Sequence, residues 1–180
     1  MTMIARVEKK IAVDTQVVTY FVEAAQSDYV PSLDSDVHLA AEREAAFRIA
    51  LTYGLLLLPT AHREIEAIPN LAVLLKHRES LTAPFRPTNL SHPEFAPHID
   101  KRTRDLLHYH PDEEDCRILA EAEELRSDVL LTFDGAFQRR LQPHTSIALR
   151  KPSELEIPKD TRKKFGIVNP KNSQYWMTVT

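Results

Sequence analysis

KKIAVDTQVVTY, running from Lys9 to Tyr20, decides how the rest of the chain is read. Ile11 to Val13 is an apolar triplet suited to a buried strand, and Asp14 and Thr15 follow it at once. Val17, Val18, Phe21, Val22 and Ala25 then recur at helical spacing. A strand that runs directly into a helix is the first half of a βαβ unit. A carboxylate at that turn can cap the helix. It can also serve chemistry, because sites in open α/β sheets form at the carboxyl ends of the strands.

Working outward, Ser32 to Asp36 supplies turn and cap residues, and His38 to Tyr53 reads as an amphipathic helix stopped by Gly54. Leu55 to Leu58 is a buried strand. Pro59 suits the first turn of the next helix, where its missing amide hydrogen would have gone unpaired, and Pro69 ends or kinks that helix. Leu71 to Glu79 forms another. Residues 80–100 contain Pro84, Pro87, Pro93 and Pro97 among small polar residues and read as an irregular insertion. A short helix at Lys101 to Leu107, a longer one at Glu113 to Arg126, and strands at Asp128 to Thr132 and Ser146 to Leu149 complete the pattern. Strands alternating with helices indicate an α/β fold with a mostly parallel central sheet.

The 180 residues suit a single domain, able to bury roughly 70% of its unfolded surface. One cysteine, Cys116, excludes an intramolecular disulfide framework and a cysteine-based zinc site. The opening residues hold no apolar run of signal-peptide length, and Leu55 to Leu58 is too short to cross a bilayer. A soluble, cytoplasmic protein without membrane partners is expected. The net charge of −3 does not mark a polyanion binder, yet Arg150 to Lys171 carries seven basic residues against three acids. That tail is either a solvated surface or a grip on phosphate.

Asp14 and Asp134 both stand at strand ends, where they can converge. Glu64 and Glu66 share a helix, and a wheel of about 100° per residue separates them. Glu64 falls beside Ala61 and Ile68, on the apolar border, whereas Glu66 points away. The same test on the acid run Asp112 to Asp115 puts Asp115 on the stripe shared by Ile118, Leu119, Ala122 and Leu125. Asp112 would join that side only if the helix began early, so it is the reserve. Inward carboxylates without interleaved bases repel one another and hold their protons unless a cation neutralises them. An all-oxygen set favours Mg²⁺ or Mn²⁺, and the implied chemistry is metal-assisted phosphodiester hydrolysis.

On these residues the chain resembles the PIN-domain nucleases, including the VapC-type toxins of bacterial toxin–antitoxin pairs. The resemblance covers residues 9–152, the PIN-like nuclease domain, and leaves 153–180 as a basic C-terminal extension. IAVDTQ matches the first motif at Asp14, and LPTAHREIEAI the second at Glu64. DCRILAEAEELRSDVLLT matches the third at Asp115, and TFDGAF the fourth at Asp134. The resemblance implies a three-layer α/β/α sandwich and a Mg²⁺- or Mn²⁺-dependent ribonuclease acting on single-stranded or structured RNA. It also implies a candidate antitoxin partner and a candidate homodimer. Gln16 stands where the family pattern has asparagine. Gln16 and Thr132 are expected to orient the metal-binding carboxylates, and Arg139, Arg140, Lys163 and Lys164 to contact phosphate.

Three other readings compete. A phosphatase of the haloacid-dehalogenase type needs a second aspartate two residues after the first, and that position is Gln16. His108 and His110, with His92 and His98 nearby, could form a histidine metal site. A PIN fold can also serve as a catalytically weak scaffold for RNA or protein, although scaffold members lose acids that are all present here.

Overall fold

β1 (Ile11–Val13) is fully buried and lies at the centre of a five-stranded sheet, in the order β3 (Phe85–Pro87), β2 (Leu55–Leu57), β1, β4 (Val129–Leu131), β5 (Ala148–Arg150). A computed structural model describes residues 9–25, 37–81, 84–88, 90 and 94–155. The turn at Ser32 to Asp36, His92, Lys163, Lys164 and most of the basic tail lie outside the described residues. β2, β3, β4 and β5 each pair in parallel with their neighbours. The sheet is therefore entirely parallel, and with its helices it makes the expected three-layer α/β/α architecture.

α1 (Thr15–Ala24) leaves β1 with no intervening loop. Val17, Val18, Phe21 and Val22 face the core, as their spacing requires. α2 (Val37–Thr52) packs on α1 and returns the chain to β2. α3 (Pro59–Glu66) begins at its proline, and α4 (Leu71–Ser80) is capped by the Asn70 side chain, which accepts from the amides of Ala72 and Val73. α5 (Ala96–Leu106) packs against α6 (Glu113–Glu124), and α7 (Gly135–Leu141) follows β4.

The expected irregular insertion differs from what is found. Segment 80–100 holds β3 and the start of α5. Proline argues against a central strand but is tolerated at a sheet edge, and β3 is an edge strand. Phe85 anchors it, buried edge-to-face against Phe21 with ring centroids 5.1 Å apart. Pro97 sits in the first turn of α5, where a missing amide hydrogen does no harm, so the helix starts earlier than Lys101.

α6 ends two residues before the expected Arg126. That residue has φ 52°, the left-handed conformation that closes a helix, with its amide donating to Glu123 O (2.9 Å) and the Ser127 amide to Ala122 O (3.0 Å). The reversal delivers Asp128 to β1, where it accepts from the Lys10 amide and donates to the Lys10 carbonyl, both at 2.8 Å.

The strand order has a functional consequence. From β1 the chain builds outward through β2 and β3, then returns to the other side of β1 to lay down β4 and β5. The switch point lies between β1 and β4, where ligand crevices open in such sheets. Asp14 follows β1 and Asp134 follows β4 by three residues.

Candidate active site

Asp14 continues the β1–β4 pairing by one bond, its amide donating to Leu131 O at 3.1 Å, before the backbone turns into α1. Its Oδ1 accepts from the Val17 amide at 2.9 Å, so the residue is a helix cap as well as a strand end. Only 8% of it is exposed. Burial pushes its carboxyl up to about 7, opposed by hydrogen bonds from Thr132 and Val17 and reinforced by the charges of Asp115 and Glu64.

Thr132 is fully buried at the end of β4. Its side chain hydrogen-bonds Asp14, and its Oγ1 accepts from the Asp134 amide at 3.1 Å. One hydroxyl thus couples the two strand-end acids. Asp134 caps α7, accepting from Ala136 and Phe137 amides at 2.6 and 3.0 Å, and is exposed.

Glu64 lies on α3, half-buried, and receives a hydrogen bond from Thr15 Oγ1. Burial raises its pKa, the Thr15 bond lowers it, and the charges of Glu114, Asp115 and Asp112 raise it again. Glu66, as the wheel indicates, points elsewhere and pairs with Arg78.

Asp115 is half-buried in the first turn of α6. His110 Nε2 lies 2.8 Å from its Oδ2. Burial again raises its pKa, with His110 opposing and Asp112 and Asp134 among the charges adding to the rise. Asp112 is the N-cap of α6 and accepts from Glu114 and Asp115 amides. The helix does not begin early, so the reserve residue is an exposed cap and Asp115 is the inward acid.

Asp14 thus feels the charges of Asp115 and Glu64, Glu64 that of Asp115, and Asp115 that of Asp134, so the four acids are linked through Asp115. In donor type and charge they suit a hard divalent cation. Among the described residues no group of three or more His, Cys, Asp or Glu side chains stands ready to hold a metal ion. The carboxylates would have to draw together on binding.

Gln16 is exposed, and its amide donates to Tyr20 Oη at 3.2 Å, on its own helix rather than on Asp14. Arg139 and Arg140 are exposed in the last turn of α7. The histidines do not form a pair: His108 is exposed with Nδ1 near the carbonyls of Arg104 and Asp105, whereas His110 is buried. Cys116 is buried, and burial pushes its thiol up to about 11.

Four contributing residues were not singled out for this site from the sequence, although Thr15, Thr60 and Glu121 lie within the motif stretches. Thr15 had a signal, since it abuts Asp14. His110 had one only as half of a His-x-His, a pattern that suggested a different partner. Glu121 and Thr60 had none, because their contact spans 61 residues of sequence. No family model matches the chain, and neither a curated protein nor a solved structure does.

Proposed function

We propose that the protein is an endoribonuclease dependent on Mg²⁺ or Mn²⁺, with Asp14, Glu64, Asp115 and Asp134 as the acids that hold the cation. The observation that carries this reading is Asp14: a carboxylate buried at the sheet's switch point, held against burial and against the charges of Glu64 and Asp115. Buried acids that repel one another are costly to keep unless something cationic joins them. When bound, a divalent cation supplies Lewis acidity to water and to a phosphodiester.

The chain's own groups do the rest. Thr132 orients Asp14 and supports the Asp134 backbone, Thr15 holds Glu64, and His110 holds Asp115. Arg139 and Arg140, on the helix that Asp134 opens, offer positive charge to the RNA backbone, which contributes affinity rather than base choice. Lys163 and Lys164 would extend that contact. An antitoxin partner and a homodimer belong to the same proposal on the strength of the resemblance, and a cytoplasmic setting on the lack of a signal-peptide-like apolar run in the opening residues. No described helix is long and apolar enough to cross a membrane.

A second reading, a PIN-like scaffold that binds RNA or protein without cutting, is favoured by the lack of a ready-made ligand set among the described residues. Incubation of single-stranded and structured RNA with Mg²⁺ or Mn²⁺ separates the two. Cleavage by the wild type that falls to background in Asp14→Asn and Asp115→Asn supports the nuclease. RNA bound but left intact by the wild type supports the scaffold, and cleavage that survives both substitutions places the site elsewhere.

A further inference from the structure

α3 begins without a cap of its own, because its N-cap residue, Leu58, has no side chain able to accept a hydrogen bond. The acceptor comes from another helix. Glu121 Oε2 accepts from the Thr60 amide at 3.0 Å, and Glu121 Oε1 accepts from Thr60 Oγ1 at 2.7 Å. Thr60 is completely buried and Glu121 only 3% exposed. Arg117, one turn earlier on α6, brings Nε to 3.7 Å from Glu121 Oε1 while its Nη1 donates to Asp100 on α5.

A buried carboxylate is an expensive way to cap a short helix. Burial pushes the Glu121 carboxyl above its usual range, against the two Thr60 donors and the charges of Arg117 and Arg63. Its neighbours Ala120 and Ala122 show that small apolar residues pack well at this level of α6. The placement of the contact suggests what the carboxylate is for. Thr60 and Glu64 stand one helical turn apart on the same side of α3, and Glu121 shares α6 with Asp115. A second link between the same helices, Arg63 Nη2 to Glu114 Oε2 at 2.5 Å, is exposed, where an ion pair contributes little.

We infer that Glu121 is a positioning residue: by clamping Thr60 it fixes α3 against α6, and so sets the separation of Glu64 and Asp115. The inference rests on the proposed cation site and deepens it. Four substitutions test it, each purified metal-free: Glu121→Ala, Glu121→Gln, Thr60→Val and the double variant Thr60→Val with Glu121→Ala. Mn²⁺ binding is measured by calorimetry, thermal unfolding separately, and RNA cleavage as a third readout.

Glu121→Ala is expected to weaken Mn²⁺ binding roughly 10- to 100-fold, the usual effect of losing a group that orients ligands. Glu121→Gln keeps an acceptor for the Thr60 amide and should recover most of the affinity. Thr60→Val, which keeps the side-chain volume, should show a milder loss even if Glu121→Ala does not fold. The double variant should bind no worse than the worse single variant, because both act through one contact. Wild-type Mn²⁺ affinity in Thr60→Val, and in Glu121→Ala where it folds, alongside lowered melting temperatures, would make Glu121 merely structural and overturn the inference. A wild type that binds no Mn²⁺ also overturns it. A wild type that binds Mn²⁺ and cuts no RNA removes the ribonuclease reading alone, provided the variants still lose affinity as expected.

Discussion

His110 Nε2 meets Asp115 Oδ2 at 2.8 Å across the loop that joins α5 to α6, and the imidazole is almost completely buried. The ring lies 5.8 Å from that of Phe137, and the histidine's own carbonyl accepts from Cys116 Sγ at 3.4 Å. One oxygen of Asp115 is thereby held. His110→Ala should raise the Mn²⁺ concentration needed for half-maximal RNA cleavage about 10- to 100-fold. His110→Gln, which can still donate to the carboxylate, should fall between that variant and the wild type. Equal metal requirements in all three would show that the histidine only fills space.

The pH dependence of stability follows from the raised carboxyls. An unfolded Asp14 releases its proton near 3.8, whereas the folded residue keeps it to about 7. Across that window the native state holds more protons than the unfolded chain, so stability is greatest below the window and falls as pH rises through it. Glu64, Asp115 and Glu121 are shifted in the same direction. The metal-free protein should therefore melt at a higher temperature near pH 5 than near pH 7.5. Asp14→Asn keeps an acceptor for the Val17 amide, and it should flatten this slope and stabilise the metal-free protein at neutral pH by on the order of 1–4 kcal/mol. Chemical denaturation at several pH values measures both.

Asp134 separates a structural duty from a chemical one. As the cap of α7 it accepts two amide hydrogens, and loss of such a cap costs about 1 kcal/mol. Asp134→Asn should keep the stability and lose most of the cleavage activity, while Asp134→Ala should lose both. If Asp134→Asn cuts RNA as well as the wild type does, the residue is a cap and nothing more.

Thr132→Val tests the coupling of the two strand ends. The substitution keeps the buried shape, removes the donor that reaches Asp14, and deprives the Asp134 amide of its acceptor. A loss of about 1–3 kcal/mol is expected from unfolding measurements, together with a larger fractional loss of cleavage. Thr132→Ser should restore both, since it returns the hydroxyl.

Legibility in the sequence follows the range of the interaction. IAV followed at once by helical spacing revealed the strand-to-helix turn, because both periods are local. The wheel also separated Glu64 from Glu66 and put Asp115 on the buried stripe, since which side of a helix is buried is a local property. β3 was hidden because Pro84 and Pro87 mark breaks in any local reading, and only its place at the sheet edge makes them harmless. The order β3-β2-β1-β4-β5, which sets the strands before Asp14 and Asp134 side by side, is a property of the whole sheet. Thr15 on Glu64, His110 on Asp115 and Glu121 on Thr60 are side-chain contacts that no motif spacing encodes.

Crystals grown with Mn²⁺ and measured for its anomalous scattering would test the central claim most directly. An anomalous peak ligated by Asp14 and Asp115, with Glu64 or Asp134 completing the set directly or through water, is the expected result. A peak bound instead by surface histidines such as His108, or none between Asp14 and Asp115 at saturating Mn²⁺, would contradict the claim that these acids form a cation site.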